Sequence, residues 1–384
     1  MTEKLYYVNS HIFDFTASVL SCVQEGKRWA VILDRTAFFP GGGGQQCDTG
    51  TIGEARVEDM AENGGDIIHY VNLPLEPGTT VDCVTDKEQR LRRMQNHSGE
   101  HIVSGITHSL FGLDNVGFHM GEEYMTIDFS GEVSDEELAR VERLANEAVR
   151  DNIAFKIWFP EPAELKSLEY RSKLELTENV RIVEIPGIDR CACCAPHVDR
   201  TGEIGLIKVL GSERHRGGTR VYLVCGMDAF DAVGVMQKNV TEISNLLSAK
   251  RHETAAAVAR VLADRESIRL RADALGGSCA ELLAQRYMHE EGNICIFESS
   301  LSDASVRDLL NTLVKGRNGI CAVFSGSDES GYKYIIASAG TDLRSRAKEI
   351  NAGIKGRGGG SPAMIQGSAG EKRAAIETFI RSFS

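Results

Sequence analysis

The sequence predicts an α+β protein made of consecutive segments. Three observations carry that prediction. Short runs of alternating apolar and polar residues, broken by turn signals, fill residues 1–84. Helix-spaced apolar stripes are interleaved with strand-like runs over 85–226. A proline-free stretch at 228–285 then precedes about a hundred residues in which apolar runs alternate with helical stretches. At 384 residues, 42% hydrophobic and 26% charged, the chain has room for two or three domains of ordinary globular composition. No apolar run approaches the roughly 18–20 residues that span a bilayer, and the acidic start MTEKLYYVNSHIFDF is not expected to be a signal peptide. A net charge of −12 disfavours a surface wrapped in nucleic acid but leaves room for a local basic site.

The first segment, 1–84, reads as a β-rich module, with runs such as Arg28–Leu33 and Gly78–Val84 and turns at Asn63-Gly64-Gly65-Asp66 and Pro77-Gly78. Residues 85–112 read as one helix. Thr85-Asp86-Lys87-Glu88 fits a capping box with Thr85 as N-cap, Leu91, Met94, Ile102, Ile106 and Leu110 make an apolar stripe, and Gly112 is the stop. A hairpin follows at 116–130, a second helix at 133–151, and strands at 154–159, 180–185, 204–209 and 219–225, completing an α+β domain over 85–226. From 227 to 285 one or two long helices are expected, with Val240, Ile243 and Leu247 at heptad-like spacing. This spacing admits a plain linker or a coiled coil, and a homodimer would pair through these helices or through the C-terminal domain. Strands at 293–297, 320–324 and 334–337 with intervening helices make 286–384 a small α/β domain.

Two pairs of metal-ligand residues stand out. His97 and His101 are four apart, about 40° from one another on a helix, and can share an ion. Cys193 and His197 repeat the spacing inside Cys191-Ala192-Cys193-Cys194-Ala195-Pro196-His197. Imidazole and thiolate together suit Zn²⁺, and two pairs give a tetrahedral set, with Cys191 or Cys194 as alternatives to Cys193. The remaining cysteines read as buried apolar residues of a reducing, cytoplasmic compartment. Ser98 follows His97 where a metalloprotease motif needs Glu. Glu100 is expected to face solvent, His108 to be exposed, and His119 to line the site from the hairpin.

Residues 343–373 hold seven basic residues (Arg344, Arg346, Lys348, Lys355, Arg357, Lys372 and Arg373) against Glu349 and Glu371. Gly356, Gly358, Gly359 and Gly360 allow backbone N–H groups to approach phosphate closely. The run is neither a Walker loop nor a dinucleotide fingerprint. Lys208, Arg214, Arg216 and Arg220 form a second basic stretch, either RNA-facing or a solvated hairpin.

With these residues in hand, the sequence resembles the long-class AlaX-type alanyl-tRNA editing proteins and the editing and C-terminal regions of alanyl-tRNA synthetase. His97/His101 and Cys193/His197 match the family's ligand pairs; Asp34–Gln45 and Asp48-Thr49-Gly50 match its glycine-rich loop; Val180–Asp189 and Thr201–Gly205 flank the second pair as in the family. Lys355–Pro362 resembles the glycine motif of the DHH-associated domain. Cys194-Ala195-Pro196 stands where the family has Gly-Gly-Thr, and the synthetase's aminoacylation domain has no counterpart in the chain.

The resemblance implies a free-standing, zinc-dependent hydrolase that removes serine, and possibly glycine, from tRNA(Ala) by ester hydrolysis. A synthetase pocket for alanine rejects such neighbours poorly, so a second sieve is needed. It implies Thr36 as the residue that recognises serine, Gln45 as a partner for water or the ester carbonyl, and Lys355, Arg357, Gly358, Gly359 and Gly360 as tRNA contacts. The four-ligand set leaves open a positioning role for zinc. The rivals are a non-catalytic, zinc-stabilised tRNA-binding protein and a phosphoesterase; the chain contains no Asp-His-His triplet to support the latter.

Overall fold

The computed structural model describes residues 1–172 and 180–383, and it is a mixed α+β structure in two units, Met1–Thr241 and Glu242–Ser384. The division falls within the helix Met227–Leu246.

In the first unit, the strands Asp14–Glu25, Arg28–Leu33, Asp66–Val71, Ala55–Asn63, Gly50–Ile52 and Thr80–Thr85 close, in that spatial order, into a barrel. Alternate residues point inward, so Val19, Val31, Leu33, Ile52, Val57 and Val71 are all nearly inaccessible. Phe38, from the segment after the strand Arg35–Thr36, fills the same core.

The helix Lys87–Phe111 leaves the last barrel strand. Its N-cap is Asp86, whose side chain accepts from the Gln89 N–H at 3.0 Å, and not the expected Thr85. Thr85 is the final strand residue, with both its N–H and its hydroxyl bonded to the Phe13 carbonyl. Gly112 ends the helix in the left-handed conformation, φ 68°. The helix Asp135–Arg150 begins in a capping box of Ser134 and Glu137.

Both helices pack on a four-stranded sheet, in the order Ile207–His215, Gly218–Cys225, Met125–Phe129, Asn115–Met120. Met94, Ile102, Ile127, Leu138, Val141, Val221 and Leu223 form this second core. A small sheet of Lys156–Trp158, Ile182–Ile185 and Asp189–Ala192 completes the unit.

Two glycines set how closely the long helix approaches its neighbours. A Cβ on Gly99 would lie 2.2 Å from the Cys225 sulfur, and one on Gly105 would lie 2.5 Å from the Ile188 carbonyl oxygen. Only a bare backbone fits at either point.

The two long helices are Met227–Leu246 and Thr254–Tyr287. In the second unit, Ile294–Phe297, Cys321–Ser327, Gly331–Ala337, Met364–Ala369 and Gly356–Gly360 form one sheet in that order, the first pair parallel and the rest antiparallel. Helices cover both faces. Ile294, Ile296, Val323 and Ile335 meet Leu309 and Leu310 on one side; Cys295, Phe324, Tyr334 and Ile336 meet Ile350 and Ile376 on the other. Burial on both faces explains the unbroken apolar runs in these strands.

The glycine run is therefore an edge strand and not an open loop. A Cβ on Gly358 would lie 2.4 Å from the Tyr334 hydroxyl. A cleft of about 940 Å³ separates the helices Thr254–Tyr287 and Asp303–Leu313. Glu281, Glu290, Glu291 and Asp308 line it together with Lys315 and Arg317, so acidic side chains outnumber basic ones there. No described helix is long and apolar enough to cross a membrane.

Candidate metal centre

The long helix supplies His97 and His101; the loop after the strand Asp189–Ala192 supplies Cys193 and His197. One ligand atom from each of the four lies within 4.8 Å of all the others. The His97 and His101 rings stack at 5.3 Å, and His197 stands edge-on to them at 4.9 and 4.7 Å. The Cys193 Sγ is 3.5 Å from His97 Nε2 and 3.3 Å from His197 Nε2. All three histidines are buried.

Each histidine is held by its other nitrogen. The Nδ1 atoms of His97, His101 and His197 lie 3.0 Å from Gln45 Oε1, 3.1 Å from Asp189 Oδ2 and 3.1 Å from Ser98 Oγ. Gln45 Oε1 and the Asp189 carboxylate can only accept, which puts the proton on Nδ1 of His97 and His101 and the lone pair on Nε2. Arg171 grips Asp189 with two bonds, at 2.7 and 2.9 Å. Sequence reasoning missed Ser98, Asp189 and Arg171 in these roles. A usable signal was strand parity, since Asp189, Cys191 and Cys193 share one side of an extended chain.

The electrostatics of Cys193 and His197 favour a metal cation, whereas those of His101 favour its own proton when no metal is bound. Burial alone would raise the Cys193 thiol, but the rings of His97 and His197 outweigh it and hold the thiol well below its usual range. Burial pushes His197 down to about 3, leaving it neutral. Burial also works against charge on His101, yet Cys191, Glu100 and Asp189 raise it well above its ordinary value. A thiolate and neutral imidazoles are the metal-binding forms. A buried N₃S donor set with each oriented imidazole backed by a polar side chain fits Zn²⁺.

Cys191 is not part of this set: its Sγ sits 2.8 Å from the Nδ1 of His101, on the side of the ring that Asp189 occupies. Cys194 is exposed and faces the glycine loop, where a Cβ on Gly42 would lie 3.4 Å from its sulfur.

That loop brings Gln45 in. Gly41, Gly42, Gly43 and Gly44 all have positive φ, and a Cβ on Gly44 would strike the Phe118 ring at 2.5 Å. Gln45 is 4% exposed, and its Nε2 has no hydrogen-bond partner among the described residues. A buried, unpaired amide donor beside the ligands is ready for an acceptor from outside the chain.

Other sequence expectations are corrected here. Glu100 does not face solvent; it is buried, accepting from Ser104 Oγ at 2.7 Å and from Asn115. His119 points outward, and Phe118 takes the inward position of that strand, 5.1 Å from the His97 ring. His108 is exposed, as expected, and pairs with Asp114.

Thr36 is fully buried at the root of the loop. Its hydroxyl lies 2.9 Å from His69 Nε2 and accepts from the Phe38 N–H. Because His69 Nδ1 faces the Val31 carbonyl, Nε2 is the acceptor and the Thr36 proton is already used. Burial depresses His69 to about 4. An unfolded histidine takes up its proton near pH 6.5, so stability is full above that value. It is lost as pH falls toward 4, by roughly 3 kcal/mol, and levels off below. Denaturant titrations between pH 7 and 4 should show this slope, and His69→Gln should flatten it.

Of the basic residues, Lys208, Arg214 and Arg220 are tied to Glu142, Glu132 and Asp128. Lys355 pairs with Glu371 at 2.7 Å, whereas Arg357 is exposed with no carboxylate partner among the described residues.

Residues 180–222 match the model of the threonyl and alanyl tRNA synthetase second additional domain, and residues 3–89 match that of the class II (A) tRNA synthetases. An alanine–tRNA ligase of Methanopyrus kandleri is 31% identical over 95% of the chain and 42% of its own length. The chain thus spans less than half the length of that ligase. AlaX-L of Pyrococcus horikoshii, an alanyl-tRNA editing protein, is 27% identical over 98% of the chain and 96% of its own length. Aarsd1 of Rattus norvegicus, also an alanyl-tRNA editing protein, is 23% identical over the same shares. Over nearly its whole length, the chain resembles the AlaX-L and Aarsd1 alanyl-tRNA editing proteins.

Proposed function

We propose that the chain is a free-standing, cytoplasmic hydrolase that deacylates tRNA(Ala) mischarged with serine or glycine. The observation that carries this reading is the unpaired Gln45 amide beside four convergent ligands from two distant stretches. His97, His101, Cys193 and His197 would hold Zn²⁺, which supplies fixed positive charge next to the scissile ester. Gln45 Nε2 donates to the ester carbonyl oxygen, where negative charge grows as water attacks. Its Oε1 is held by His97, so the donor is aimed before substrate arrives. Thr36 supports the loop through the Phe38 N–H; with its hydroxyl committed, recognition of a serine side chain falls to groups nearer the ligands.

The C-terminal unit is read as a DHH-associated domain that holds the tRNA body. Arg357 and the backbone of Gly358, Gly359 and Gly360, an edge strand with no second strand partner, would face phosphate. Lys355 would join them only by leaving Glu371.

One observation favours a second reading. Four protein ligands are usual for a structural zinc, and a non-catalytic tRNA-binding protein would have the same cluster. Incubating the purified chain with Ser-tRNA(Ala), Gly-tRNA(Ala) and Ala-tRNA(Ala) separates the two. Release of serine or glycine, with alanine spared, is the expected result; tight binding without release of either would leave the second reading standing.

A further inference from the structure

The strand Lys156–Trp158 lies at the edge of the small sheet whose far strand, Asp189–Ala192, leads into Cys193. The residue after it, Phe159, is 51% exposed, although a phenylalanine ring is a costly group to leave in water. The ring is held in place. It stands edge-to-face against Tyr7 at 5.5 Å, and Tyr7 stands edge-to-face against the buried Tyr6 at 4.6 Å. Tyr6 packs with Phe39 and Ala195, and Tyr7 and Cys193 lie against that same cluster. The exposed ring is therefore joined to a metal ligand through a short series of packed side chains.

The charge beside these rings is also unusual. The Arg181 guanidinium lies over the Tyr7 ring at 5.1 Å. It is 5% exposed, and among the described residues it bonds to the carbonyl oxygens of Cys193 and Ala195. Its Nε has no partner, and no carboxylate pairs with it among the described residues. The surface around Phe159 thus presents an immobilised aromatic face beside a guanidinium that has no carboxylate partner among the described residues. A planar base attached to a phosphate satisfies both; an apolar peptide satisfies only the first.

We propose that Phe159, buttressed by Tyr7, is the stacking platform for the unpaired terminal base of an RNA whose 3′ end enters the metal centre. This rests on the tRNA reading above and adds the point at which the last nucleotide is gripped. Stacking on an aromatic ring tolerates any base, so the platform sets the position of the strand end and not its sequence.

The test is equilibrium binding of uncharged tRNA(Ala) and of the same transcript lacking its 3′-terminal nucleotide. The purified full chain is compared with Phe159→Leu and Phe159→Tyr. Wild type should bind the complete transcript on the order of tenfold more tightly than the shortened one. Phe159→Tyr should keep the difference, and Phe159→Leu, apolar but without a ring, should erase it at unchanged metal content. Equal binding of the two transcripts by wild type would overturn the proposal, as would full discrimination by Phe159→Leu. Failure of wild type to bind either transcript would instead remove the tRNA reading on which the proposal stands.

Discussion

Cys193→Ala should strip the chain of its zinc and reduce deacylation of Ser-tRNA(Ala) by at least about a thousandfold. The magnitude follows from the geometry. Cys193 is the one thiolate of the four ligands and lies between His97 and His197, at 3.5 and 3.3 Å from their Nε2 atoms. Without it, three imidazoles remain in a buried site, with no negative ligand to offset the ion's desolvation. Gln45 would also be aimed less firmly, because the imidazole that holds its Oε1 would no longer be fixed by a metal bond at its far side. The measurement is metal content by elemental analysis beside the deacylation rate. Cys191→Ala is the control, since its sulfur faces the Nδ1 side of His101 and should leave zinc in place. Loss of zinc in the Cys191 variant, with retention in the Cys193 variant, would reverse the ligand assignment.

Much of this centre was legible in the sequence because ligand spacing is a local property. Two residues four apart share a helix face wherever that helix lies, so His97 and His101 could be read as a pair without knowing the fold. Cys193 could not be chosen over Cys191 in the same way. Both sit on one side of an extended chain, and the choice depends on which of them meets Nε2 and which meets Nδ1 of rings about ninety residues away in the chain.

Glu100 was misread for a related reason. Its offset from His101 around the helix suggested solvent, but the strand Asn115–Met120 covers that face and supplies Asn115 as a partner. Thr36 shows a further limit. A hydroxyl beside a glycine loop reads as available until the buried His69, from another barrel strand, is found to have taken its proton. In the C-terminal unit, the glycines of 356–360 resembled a loop because no side chain marked a strand period. The partner strand Met364–Ala369 is what makes the pairing.

The largest stability effect should come from a residue remote from the chemistry. Asp48→Ala should destabilise the chain by about 3–5 kcal/mol, lowering the melting temperature by about 10 °C for a unit of this size. Arg90 and Asp48 are both almost completely buried, and they form an ion pair between the long helix and the glycine loop. The carboxylate also accepts from the Phe39 N–H at 2.6 Å, while Arg90 bonds the carbonyls of Ser10 and Ala37. Removing the carboxylate leaves a guanidinium with carbonyl contacts but no counter-charge, which costs more than the lost bonds themselves. Arg90 lies seven residues before His97, two turns along the same helix face, so the pair also fixes the loop that carries Gln45 relative to the ligands. Arg90→Met with Asp48→Leu should recover part of the stability, because an apolar pair of similar volume avoids the buried charge. That double variant should still deacylate poorly, since the Phe39 N–H and the carbonyls of Ser10 and Ala37 would lose the partners that hold the loop. Thermal melts and deacylation rates on the three proteins check both halves: a double variant restored in stability and fully active would show that the pair stabilises the unit without positioning the site.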